Sequence, residues 1–129
     1  MEILLLGKSS TITATVKTML QSIDDWIVRS NVEFSPYPQL STEPYEYDIL
    51  IANLEDFNTS PIPLIEEISK QYPQTPLLII YSYRNKELIT PILAAGATGY
   101  IQQEMSEEDL FKAVNKVSEN QEIVIADFT

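Results

Sequence analysis

Apolar residues follow two alternating patterns along this chain, short unbroken runs and stripes spaced three or four apart. Ile3-Leu4-Leu5-Leu6, Asp48-Ile49-Leu50-Ile51-Ala52-Asn53, Leu77 to Tyr81 and Thr98 to Ile101 are runs of strand length. Strands apolar on successive residues are those buried on both faces. Between them, Ser9 and Ser10 can cap a helix whose stripe is Ile12, Val16, Met19, Leu20 and Ile23. Ser60-Pro61 predicts a second helix start, because Pro fits the first helical position, where no N–H is needed. Leu64, Ile65 and Ile68 then face inward, and Tyr72-Pro73 ends that helix. A further helix ends at Gly96. Ser106, with Asp109 three residues on, opens a final one as a capping box with stripe Leu110, Phe111, Val114 and Val117.

Two stretches are less defined. Trp26-Ile27-Val28 through Val32-Glu33-Phe34 reads as a second strand of open register, and Ser35 to Pro44, with three prolines, supports at most a short helix. Ile123-Val124-Ile125 reads as a short terminal strand or an ordered tail. Strands that alternate with helices predict an α/β fold with a doubly wound, five-stranded parallel sheet. In such sheets a functional pocket lies at the carboxyl ends of the strands. One domain over residues 1–129 is expected, with a core to about residue 119 and a tail over 120–129.

Composition narrows the chemistry. The chain is 44% hydrophobic and 21% charged, an ordinary globular balance. Nineteen acids against eight bases give a net charge of −11, which phosphate backbones and anionic membranes would repel, so neither nucleic acid nor membrane is an expected partner. With no Cys and no His, disulfides, thiolate nucleophiles and imidazole bases are excluded. The run Ile3 to Leu6 is too short for a signal peptide or a membrane span, and a cytoplasmic location is the default. Gly7-Lys8-Ser9-Ser10 matches the end of a phosphate-binding loop, but the Gly that such a loop needs five residues before Gly7 is Glu2. The carboxylates Glu66, Glu67, Glu107, Glu108 and Asp109 fall in first turns or on solvated helix faces, where they suit the helix dipole.

Three segments carry a family resemblance. Tyr47-Asp48-Ile49-Leu50-Ile51-Ala52-Asn53-Leu54 resembles the third strand of response-regulator receiver domains. Ala94-Ala95-Gly96-Ala97-Thr98-Gly99-Tyr100-Ile101 resembles their lead-in to the fifth strand, and Met105-Ser106-Glu107-Glu108-Asp109-Leu110 is similar to the NarL-type branch. The resemblance runs along the whole chain in element order. It implies a flavodoxin/CheY-like three-layer sandwich. It also implies a pocket holding a carboxylate nucleophile, an acidic pair for Mg²⁺, a hydroxyl and a Lys, the cations offsetting anion-on-anion attack.

Carried over position by position, the resemblance finds that pocket degenerate. The nucleophile position is Asn53, whose amide cannot form an acyl phosphate. Gly7 and Lys8 replace the acidic pair, Tyr81 stands at the hydroxyl position (Ser82 if the register slips by one), and Gln103 replaces the Lys. Glu104 stands where many receivers carry Pro, so a trans peptide is expected there. Lys8 is expected to hydrogen-bond Asn53 or to pair with Glu55 or Asp56, an internal cation in a vacated metal site. No catalytic residue, metal or cofactor is expected.

Pro91 disfavours a helix running from Asn85; Thr90 as cap with Pro91 first predicts a short helix through Ala95, with Tyr83 and Arg84 in an irregular lead-in. The resemblance implies that this helix, the fifth strand and the last helix form the output surface, with Tyr100, Pro91, Ile101, Glu107 and Phe111 on it. The expected function is that of a non-enzymatic pseudo-receiver acting through a protein partner, with a homodimer through the same surface as one assembly. Two alternatives stay open: a receiver that keeps phosphoryl or small-ligand binding through Glu55, Asp56 or Ser82, and the regulatory fragment of a longer NarL-like transcription factor.

Overall fold

The computed structural model describes residues 1–7, 11–31, 47–54, 60–81, 87 and 89–125. Its elements run β1 (Glu2–Leu6), α1 (Thr11–Gln21), β2 (Ile27–Asn31), β3 (Ile49–Asn53), α2 (Pro61–Gln71), β4 (Leu77–Ile80), α3 (Ile89–Ala94), β5 (Gly99–Ile101), α4 (Glu107–Ser118) and β6 (Ile123–Ile125). The six strands form one sheet in the order β2-β1-β3-β4-β5-β6, and every pair is parallel. The doubly wound α/β expectation holds, with one strand more than the five expected. Of the two readings offered for Ile123 to Ile125, strand is the observed one, and it lies along the outer side of β5.

Strand side chains alternate between two cores. Leu4, Leu6, Leu50, Ala52, Leu77, Ile79 and Tyr100 pack with Leu64, Ile65 and Ile68 of α2 and with Ile89 and Ile92 of α3. Ile3, Leu5, Ile49, Ile51, Leu78, Ile80 and Ile101 pack with Val16 and Leu20 of α1 and with Leu110, Ala113, Val114 and Val117 of α4. The three-layer sandwich follows: apolar runs are buried on both faces only if helices cover each side.

Helix ends obey local chemistry. Pro61 opens α2 behind Ser60, and the Tyr72 N–H closes it on the Ile68 carbonyl. Ser106 caps α4 by accepting from the Asp109 N–H at 3.1 Å. A Ser106→Ala chain is expected to lose about 1 kcal/mol of stability, the usual cost of removing an N-cap side chain, read as a lower denaturant midpoint at unchanged slope.

The helix with Pro91 is short, six residues, as expected, but it starts two residues earlier than a Pro91 first position requires. Pro91 is its third residue. That is tolerated because the first four N–H groups of a helix have no acceptor within it. Tyr83 and Arg84 lie outside the described residues.

Candidate functional site

Parallel strands bring their carboxyl ends to one edge of the sandwich. Leu6 pairs with Ala52 and Asn53 with Ile80, so Gly7, Asn53 and Tyr81 end neighbouring strands side by side. Gly7 is buried and Tyr81 half-buried. Gln103 follows β5 by two residues and is also half-buried, and the backbone N–H of Tyr81 donates to the Ile101 carbonyl at 3.2 Å. The sequence-matched positions Gly7, Asn53, Tyr81 and Gln103 therefore do lie at one end of the sheet. Lys8, Ser82, Glu55 and Asp56, with the Lys8 pairing expected above, fall outside the described residues. The Gln103–Glu104 peptide is trans.

Asn53 is the chemical centre of this edge. It is fully buried, and its Nδ2 donates to Thr13 Oγ1 at 3.1 Å. Its Oδ1 is buried as well and has no hydrogen-bond partner among the described residues. A carboxamide cannot attack a phosphoryl group as a carboxylate does, since its nitrogen lone pair is delocalised into the carbonyl. Its oxygen is a neutral acceptor, and a buried acceptor left alone costs about 1–3 kcal/mol. The sequence reading missed Thr13. The signal was its position three residues before Val16, on the buried side of α1, where it is 5% exposed. No group of three or more metal-ligating side chains occurs among the described residues.

Tyr100 and Ile101 require a correction. Both were expected on an output surface, and both are fully buried. The Tyr100 hydroxyl turns inward and donates to the Tyr81 carbonyl at 2.7 Å. β6 occupies the outer side of β5, pairing Tyr100 with Val124 and Ile101 with Ile125, so the edge that would have presented them is covered. The rest of that set is divided between the two helical layers. Pro91 is exposed on α3, whereas the α4 residues turn toward α1 and β2. Glu107 Oε1 accepts from Ser22 Oγ at 3.4 Å, and the Phe111 ring meets Trp26 edge-on at 5.6 Å.

The fold is that of response-regulator receiver domains. The isolated receiver domain of RcsB from Salmonella enterica serovar Typhimurium superposes with a TM-score of 0.76 at 17% identity, over 99% of this chain and 95% of that one. Response regulator ChrA of a heme-sensing two-component system matches with a TM-score of 0.66 at 21% identity, over 95% of this chain and 58% of that one. In sequence, the chain is similar to the transcriptional regulatory protein DegU of Brevibacillus brevis, 23% identical over 77 residues, 60% of this chain. It spans about a third of DegU, 33%. No protein-family model matches the sequence. No helix among the described residues is long and apolar enough to cross a membrane.

Proposed function

We propose that this chain is a receiver domain of the two-component type that works without phosphorylation at the usual position, as a non-enzymatic module that binds a protein partner. The observation that carries the reading is Asn53. An uncharged, fully buried amide held by Thr13 ends β3, where the resemblance requires a carboxylate nucleophile. Gly7 at the end of β1 supplies no metal ligand, and Gln103 supplies no cation. Magnesium and a phosphoryl group would thus lack their anionic ligands, their counter-charge and their acceptor together. With net charge −11, a partner surface of opposite sign suits it better than nucleic acid or an anionic membrane. A homodimer through α3, β5 and α4 is less favoured, because β6 covers the outer side of β5.

Amide NMR spectra recorded with and without Mg²⁺ and beryllofluoride test this. The expected result is unchanged peaks at Asn53, Tyr81 and Gln103. Shifts clustered at those positions would establish the competing reading, in which Glu55, Asp56 or Ser82 holds the ligand. The reading as the receiver portion of a longer regulator draws on the partial coverage of DegU and ChrA. Translating the reading frame past residue 129 decides it.

A further inference from the structure

The two edges of the sheet are protected differently. β2 carries charge: Arg29 lies 3.5 Å from Glu2 on β1, and Lys17 of α1 donates to Ser30 at 3.1 Å. Such charges blunt an edge against strand pairing. At the other edge β6 is Ile-Val-Ile, with no Lys, Pro or charged residue between 123 and 125. The Ile125 carbonyl accepts from the Gln102 N–H at 3.0 Å. Because alternate residues of a strand direct their backbone groups to the same side, Ile123 and Ile125 are tied to β5, and Val124 turns its N–H and C=O outward. No strand lies beyond β6 among the described residues. Val124 and Ile27 are the two exposed large hydrophobics of the described residues, Val124 at 39%.

We propose that the open edge of β6 receives an extended segment of a protein partner as an added strand, and that this segment alternates apolar and basic residues. The inference rests on the partner-binding reading above and names its surface. Strand addition draws affinity from main-chain hydrogen bonds and selectivity from alternate side chains. Charge selects the occupant. Glu119 and Glu122 before β6 and Glu104 after β5 are all exposed. A second copy of a chain at −11 would bring two acidic surfaces together. Residues 122 and 124 share a face of the strand, so lysines at alternate positions of the segment meet Glu122 with opposite sign and lay their aliphatic stems over Val124, while the apolar positions between them fall on the face of Ile123 and Ile125.

The test is an NMR titration of the full chain with a blocked hexapeptide of alternating lysine and valine. Binding is expected to shift the amides of Glu122 to Ile125 and to slow exchange of the Val124 N–H about tenfold or more, as a newly formed ladder bond does. The same peptide N-methylated at alternate amides keeps its charge and side chains but cannot pair. Equal effects from it, or shifts centred on Glu107 to Asp109, would reduce the interaction to charge and overturn the proposal. Val124→Pro removes the outward N–H and should abolish binding, read as loss of the peptide-induced shifts at Glu122 and Ile123. Val124→Lys, which leaves the backbone able to pair and cannot fail for lack of an N–H, should weaken binding about tenfold by like-charge repulsion. Unchanged binding by Val124→Lys, or a dimer of the peptide-free chain held through β6 in sedimentation equilibrium, would also overturn it. A null titration with a pocket silent to beryllofluoride sinks the edge alone; a pocket that responds sinks the partner-binding reading and the edge with it.

Discussion

Replacing Gly96 by Val is expected to destabilise the chain by about 3 kcal/mol or more, combining overpacking with a disfavoured backbone. Gly96 has φ +130°, a conformation L side chains rarely adopt. A Cβ there would overlap Ser69 Oγ of α2 and lie 2.7 Å from Ser69 Cβ. The residue also closes α3: the Gly96 N–H donates to Leu93 and the Ala97 N–H to Ile92, the paired bonds of a Schellman ending. For a domain of this size the melting temperature should fall by roughly 10 °C. Asn120 provides the internal control. It closes α4 with the same two-bond pattern at φ 59°, yet Asn tolerates that region, so Asn120→Gly should be neutral or slightly stabilising. Adding Ser69→Gly to Gly96→Ala should recover the steric part of the loss and leave the backbone part. A Gly96→Val chain as stable as its parent would mean that α3 does not pack on α2 as described.

The second large effect concerns Tyr100. Tyr100→Ala should cost about 4 kcal/mol, the cost of emptying an aromatic-sized volume in a packed core. Tyr100→Phe should cost only about 1–2 kcal/mol, because the ring still fills its place between the sheet and Ile92 while the Tyr81 carbonyl loses one donor. Urea unfolding of both variants measures the split. The comparison bears on function, since a side chain that moves outward to signal would leave little loss in either variant. Fully buried and hydrogen-bonded inward, Tyr100 is a structural residue in this state. A Phe variant as damaged as the Ala variant would show that the hydroxyl bond, not the ring, holds the β4–β5 end together.

Much of the architecture was legible because it depends on local pattern. Ile49-Leu50-Ile51-Ala52 is apolar on successive residues, which suits a strand covered on both faces, and the structure buries all of β3. The starts at Pro61 and Ser106 were legible for the same reason, since cap chemistry acts over three or four residues. The helix at Pro91 was legible in length but not in start, because Pro is compatible with several positions of a first turn. At the site, Asn53, Gly7, Tyr81 and Gln103 could be located by counting along a resemblance. Their side-by-side placement needed the strand register. The bond from Asn53 to Thr13 spans 40 residues and could not be read from either segment.

What the sequence by itself determined is the order and type of the main elements and the absence of a carboxylate at the end of β3, because side-chain identity and short-range periodicity are local properties. What only the tertiary structure decided is where the last apolar triplet goes. Ile123-Val124-Ile125 had no unique destination in sequence, since three apolar residues are too few to show a period and pairing is chosen by whichever edge is free. By docking on β5 it covers the outer side of that strand, packs Ile123 and Ile125 against the core that holds Ile101, and leaves Val124 on the outermost strand. Non-local hydrogen bonds and burial make those choices, and they exist only once the sheet has formed.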